Sequence, residues 1–248
     1  MSEMTARHLA AIEEHSAGFA AAARGNLDAD VEHCPGWTVA DLVWHLTEVH
    51  WFWGTIAAER LGAPPEESRR PQREPDERLV DAFEAGAARL VEALRGADGA
   101  AHVWTWAPAQ QDVAFITRHQ VQEAAVHHWD AEHAAGTSLV LAAPLAVDAV
   151  EEFLTFSVSS ESDPADPPRP ALGGTFTLHA ADADVSWAVT DGATPGTVRS
   201  ERGTGVAGPT VSASASDLLL WLYGRVPIVG APVPEDLLRR FRALCFTD

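Results

Sequence analysis

Apolar residues recur every three to four positions through most of the N-terminal half, the spacing of amphipathic helices. Residues 3 to 24 carry Leu9, Ile12 and Phe19 among many alanines, and Gly25-Asn26 ends this first helix. A second helix is predicted from Val39 to Leu61, stopped by Gly62-Ala63-Pro64-Pro65, with Leu42, His45, Leu46 and Val49 on one stripe. That stripe places His45 on the core face and turns His50 away from it. Thr38 and Asp41 have the spacing of a capping box, and Pro35-Gly36 before them signals a turn. A third helix is predicted from Asp76 to Arg95, with Leu79, Val80, Phe83, Ala87, Leu90, Val91 and Leu94 facing inward. The Pro- and Arg-rich stretch 64–75 between helices reads as a mobile, exposed linker, its Arg69-Arg70 pair solvated.

The fourth helix is the one that carries candidate chemistry. Residues Arg118 to His133 contain no Gly or Pro and many strong helix formers, and the helix ends at Gly136. Between the third and fourth helices, Gly96 to Gln110 reads as a loop whose Trp104 and Trp106 fold over the bundle end. Pro144 to about Ser159 makes a fifth helix, and Ser162 to Pro168 a second linker. Thereafter the period changes to two: Thr175–His179 and Val185–Thr190 read as strands, with a weaker strand from Val206 to Ser212. Asp191-Gly192 and Thr204-Gly205 mark turns. Ser216-Asp217 is predicted to cap a helix over Leu218–Tyr223, closed by Gly224, and a last helix runs from Pro234 to about Leu244. The pattern predicts an N-terminal four-helix bundle, residues 1–138, and a smaller C-terminal α+β domain, residues 139–248.

Composition narrows the partners. With 36 acidic residues against 17 basic ones, all arginine, the net charge is −19. Such a surface repels phosphate backbones, which argues against nucleic acid. No apolar run reaches the ~20 residues that span a bilayer. The N-terminus lacks the zones of a signal peptide, and Cys34 and Cys245 form no CxxC pair, so a reduced, cytoplasmic protein is expected. Ten of the eleven histidines precede residue 134, which puts most of the titratable equipment in the bundle.

Glu123 and His127 lie four residues apart, on one face of the fourth helix, where both can reach one metal ion. Asp130 follows on the same face and can orient a ligand from behind. A third ligand has to come from elsewhere, and His45 on the second helix is the best candidate. Such pairs also occur on solvated helix faces, and a lone core histidine is more often satisfied by a hydrogen bond. His128 and His133 are expected at the surface, and Cys34 as a buried small residue. Trp53, Trp104 and Trp106 are expected mainly as core.

Two motifs together, Cys34-Pro35-Gly36-Trp37-Thr38-Val39-x-Asp41-Leu42-x-x-His45-Leu46 and Glu123-x-x-x-His127-x-Trp129-Asp130, resemble the mycothiol-dependent maleylpyruvate isomerase family. The bundle is thereby similar to the DinB-like metal-binding superfamily. Leu218 to Arg225 is similar to the closing helix-Gly-Arg segment of that family, so the resemblance spans nearly the whole chain. It implies zinc held by His45, Glu123 and His127, with mycothiol as cofactor. It also implies that Arg225 reaches the active cleft, where it would hold a carboxylate of substrate or cofactor as a catalytic and binding residue.

Two imidazoles and one carboxylate leave a four-coordinate zinc with one open position, the pattern of a catalytic site. A thiol coordinated there loses its proton and becomes the nucleophile. Adding to an activated double bond and leaving again gives cis–trans isomerisation of a small electrophilic acid, whereas displacement or epoxide opening makes a thiol transferase. Two rivals follow from the same residues. One is a hydrolase using metal-bound water with Asp130 or Glu48 as base, although either reads more readily as a solvated carboxylate. The other is a bundle whose metal has only a structural or regulatory role. The sequence carries no signal for the substrate's identity or the oligomeric state.

Overall fold

The computed structural model describes residues 2–159, 169–203 and 208–247, which divide into two compact units, Met1–Val140 and Leu141–Asp248. Unit 1 holds four long helices: α1 (Glu3–Ala23), α2 (Val39–Glu59), α3 (Asp76–Gly96) and α4 (Val113–Ala134). Helix α1 packs chiefly on α4, and α2 chiefly on α3. One core cluster is built from Phe19 of α1, Leu42 and Leu46 of α2, Leu79 and Phe83 of α3 and Ala131 of α4. Phe19 and Phe83 meet edge to face at 4.9 Å, a geometry aromatic rings prefer over face-to-face stacking.

The helix ends follow their local chemistry. Thr38 and Asp41 form the full capping box: Thr38 Oγ1 accepts from Asp41 N–H, and the Asp41 carboxylate accepts from Thr38 N–H. Asp112 caps α4 by accepting from Phe115 N–H at 2.8 Å. At the far end of α2, Arg60 takes the left-handed cap with φ 54°, so the helix closes at Glu59, ahead of the Gly-Pro stop at 62–65.

The stretch 64–75 differs from the expected mobile linker. Arg69 pairs with Glu59 of α2, Arg70 with Glu48, and Arg73 with Asp41. Its basic residues lie along a helix that offers carboxylates at matching heights, and they tether it there. A turn of 3₁₀ helix forms over Glu67–Arg69. The loop before α4 is fastened too: Trp104 N–H donates to Leu61 carbonyl at 2.7 Å, and its ring stacks on Trp53.

Unit 2 begins with α5 (Ala143–Phe156). Four strands follow, β1 (Phe176–Ala180), β2 (Val185–Asp191), β3 (Val198–Gly203) and β4 (Thr210–Ala213), then α6 (Ala215–Leu222) and α7 (Glu235–Arg242). The sheet order is β3-β2-β1-β4, with β1 antiparallel to β2 and parallel to β4. Leu178 of β1 lies opposite Trp187 of β2 and Val211 of β4, and all three are buried in the core.

Strand β3 was not signalled by the alternation, because Val198-Arg199-Ser200-Glu201-Arg202-Gly203 is polar. Its pairing with β2 comes from backbone bonds, and a polar edge strand discourages further pairing. The Ser216-Asp217 cap is corrected to Ser214, whose hydroxyl accepts from Asp217 N–H at 3.0 Å. Ser216 is buried instead, accepting from Leu141 N–H. The second linker, at 162–168, and the Thr204-Gly205 turn lie outside the described residues, as does the start of the weak strand expected from Val206. Its last three residues, Thr210 to Ser212, lie in β4, which runs one residue further to Ala213. The architecture, a helical bundle followed by a small sheet with helices, is the one the periodicities predict.

Candidate metal centre

Three side chains from two helices of unit 1 meet at one point. His45 comes from α2, Glu123 and His127 from α4. One ligand atom from each lies within 4.8 Å of the others. Both imidazoles aim the same nitrogen at one carboxylate oxygen: His45 Nε2 and His127 Nε2 each sit 3.4 Å from Glu123 Oε1. The rings of His45 and His127 stand nearly perpendicular, 5.1 Å apart between centroids.

Asp130 fixes the direction of His127. Its carboxylate accepts from His127 Nδ1 at 3.0 Å, which leaves Nε2 as the nitrogen turned toward Glu123. The expectation of a solvated Asp130 is therefore corrected: its side chain is wholly buried, one helical turn from its partner. Glu48, the other carboxylate considered as a base, is also not a free solvated group, because it pairs with Arg70.

The electrostatics of the group favour a positive charge at its centre. Burial alone would raise the Glu123 carboxyl, yet hydrogen bonds from His127 and His45 hold it well below the usual carboxylate range. Burial would lower His127, but bonds to Asp130 and Glu123 outweigh it and raise the imidazole to about 9. Two carboxylates thus flank one imidazole in a space that excludes most water. A cation among these donors answers the same field that draws a proton there.

The burial along α2 is not what the stripe predicts. His45 keeps 27% of its side chain exposed, with the indole of Trp37 at 5.1 Å, whereas His50 is fully buried. The fully buried line runs through Leu42, Leu46, His50, Trp53 and Ala57, and His45 stands at its edge. An edge position suits a ligand that a substrate must approach. His50 has no hydrogen-bond partner on either ring nitrogen among the described residues. Burial lowers its pKa to about 3.

His128 is likewise not a surface residue. It is buried against α1, its Nδ1 3.1 Å from Nδ1 of His15. Room for the ring exists because position 18 is glycine: a Cβ there would lie 2.1 Å from His128 Cε1. His133 is exposed, as expected. Cys34 is half-buried and packs against the bundle core. Trp53 is buried, while Trp104 and Trp106 are half-buried around it and His119.

Arg225 belongs to unit 2, directly behind Gly224, whose φ of 78° closes the α6 end. Its Nη1 donates to the Tyr223 carbonyl at 2.8 Å, and the guanidinium lies 5.8 Å from the Tyr223 ring centroid. Trp37 was legible only as part of a motif, and its contact with His45 has no signal in helical periodicity.

Comparison with known proteins bears on the fold and the family. Residues 8–132 match the mycothiol maleylpyruvate isomerase N-terminal domain, and residues 144–240 match the C-terminal domain of the same family. Among solved structures the chain resembles the crystal structure of the mycothiol-dependent maleylpyruvate isomerase. The TM-score is 0.59 and the identity 13%, over 90% of each chain, a likeness of fold. No curated protein matches. With both domain models matched in sequence order over most of its length, the chain belongs to the mycothiol-dependent maleylpyruvate isomerase family.

Proposed function

We propose that this protein is a cytoplasmic, zinc- and mycothiol-dependent enzyme acting on a small electrophilic acid, by isomerisation or by transfer of the thiol. The supporting observation is the convergence of His45 Nε2 and His127 Nε2 on one Glu123 oxygen, in a family named for mycothiol and an isomerase. His45, Glu123 and His127 are the residues that would hold the metal. Two nitrogens and one carboxylate suit zinc and leave a position for an exogenous ligand. When bound, the metal supplies stabilisation of a thiolate, the form of mycothiol that attacks an activated double bond or displaces a leaving group.

The chain's own residues set the conditions. Asp130 holds the His127 Nδ1 proton, so His127 keeps one tautomer and one ring orientation. Glu123, kept ionised by its two imidazoles, offsets cationic charge at the centre. The partial exposure of His45 beside Trp37 gives small molecules an approach. We assign Arg225 to binding a carboxylate of substrate or mycothiol through its planar fork. We likewise take the functional division as a metal-binding bundle over 1–138 and a C-terminal domain over 139–248.

The hydrolytic alternative is less well supported. Asp130 is committed to orienting His127, and Glu48 to Arg70, so neither carboxylate stands ready to take a proton from water. Among the described residues no helix is long and apolar enough to cross a membrane.

Cobalt-substituted protein titrated with mycothiol is the direct test. The expected result is a new sulfur-to-cobalt absorption band, absent in His45→Ala. Activity on cis-unsaturated acids should then require the thiol, and Arg225→Lys should raise KM for them more than it lowers kcat. A titration with no such band would overturn the thiol reading.

A further inference from the structure

We infer that Glu32, His33 and His133 form a second site for a divalent transition metal, on the surface of the bundle and sharing no residue with the first. One ligand atom from each of the three lies within 4.8 Å of the others. His133 Nε2 and Glu32 Oε2 are 2.9 Å apart, and the rings of His33 and His133 stand at 72° with centroids 5.4 Å apart. An exposed His–Glu pair by itself is an ordinary surface contact worth little. A third donor, and the way the rings are held, set this group apart.

Both imidazoles rest on one indole. Trp129, buried one turn before His133 on α4, stacks on the His133 ring at 4.7 Å and 10°, and meets His33 edge-on at 5.5 Å. The segment that presents Glu32 and His33 is also pinned. Val31 N–H donates to the Trp37 carbonyl, Cys34 N–H to Val31, and Trp37 N–H to Cys34. The left-handed Gly36, φ 85°, makes that closure possible. Ring orientations that metal binding would otherwise have to impose are therefore in place beforehand.

The donor set selects the ion class. Two imidazoles and a single carboxylate suit Zn(II), Ni(II) or Cu(II), whereas Ca(II) and Mg(II) call for oxygen ligands throughout. Glu32 keeps 71% of its side chain exposed and His133 41%. A cation there stays well hydrated, and the site is weaker than the centre at His45, Glu123 and His127, where Glu123 is only 15% exposed.

The experiment is a Zn(II) titration, by calorimetry, of full-length protein stripped with a chelator, with circular dichroism confirming the fold of each variant. Wild type is expected to show two classes of site. His133→Ala and Glu32→Gln should each weaken the second class at least tenfold and leave the first unchanged. Glu123→Gln should remove the tight class and retain the weak one, so failure of the central site and failure of this one give different traces. A single class in wild type, or a second class unaltered in both His133→Ala and Glu32→Gln, would overturn the proposal.

Discussion

On α4 two successive histidines leave the helix about 100° apart and enter opposite surroundings. His127 turns toward α2, between the carboxylates of Glu123 and Asp130, and its affinity for a proton rises. His128 turns toward α1, over Gly18 and against His15, and its affinity falls, chiefly through burial. Both are buried to the same degree. Burial alone therefore does not decide whether an imidazole is chemically poised; the charges that share its burial do. The His127 side gathers carboxylates around the ring, where we propose a metal is held, and the His128 side is packing that happens to be built from titratable rings.

The largest effect should come from breaking the first side. Glu123→Gln keeps the shape but removes the negative charge that both imidazoles share. Retention of tightly held zinc after dialysis should drop by at least the ~100-fold that even outer partners of a metal site can cost. Thiol-dependent activity should fall with it, while far-ultraviolet circular dichroism stays unchanged. A variant that kept its metal would show that the carboxylate is no ligand.

The second side should respond to pH. His15 is pushed down to about 4, first by burial and then by the neighbouring His128. Below about pH 6.5 the unfolded chain takes up a proton at this residue that the folded chain refuses. The unfolded state then binds more protons, so stability rises with pH and is lost as pH falls from about 6.5 toward 4. The loss amounts to up to about 3 kcal/mol from His15. His50, pushed to about 3, acts in the same direction. Urea denaturation at pH 7 and pH 5 should show the decline, and His15→Asn should make it shallower. An identical slope in the variant would mean that the pair is not the source of the acid sensitivity.

The two sides were unequally legible in the sequence. Glu123, His127 and Asp130 lie within eight residues on one helix, so helical spacing alone groups them. His45 is joined to them by its stripe on another helix and by a motif, and its position at the edge of the buried line of α2 is what a single stripe cannot report. The His15–His128 pair spans 113 residues and rests on a glycine chosen for a neighbour's ring. No local pattern encodes it. The same limit hid β3, whose place in the sheet comes from backbone pairing, and the tethering of 64–75, which comes from carboxylates on another element.

Gly18 offers a packing test of the second side. Alanine would ordinarily stabilise a helix by about 1 kcal/mol over glycine. Here its Cβ would lie 2.1 Å from His128 Cε1 and 2.4 Å from Nε2, so the ring must move inside a filled core. Gly18→Ala should therefore destabilise by about 1–3 kcal/mol in denaturant. The tight metal site, which faces the other way, should keep its affinity. Weakened zinc binding in this variant would show that the two faces of α4 are coupled.

The smallest expected effect comes from Asp130→Asn. The amide oxygen can still accept from His127 Nδ1, so the ring keeps its direction, but the charge behind it is gone. Outer partners of this kind cost about 10–100-fold in metal affinity when removed, and retention of an acceptor places this change near tenfold. A cobalt spectrum unchanged in shape but reached at higher metal concentration would match a carboxylate that tunes His127 through its far nitrogen. Loss of the spectrum altogether would make Asp130 a ligand in its own right, and the division between holding and orienting residues on α4 would have to be redrawn.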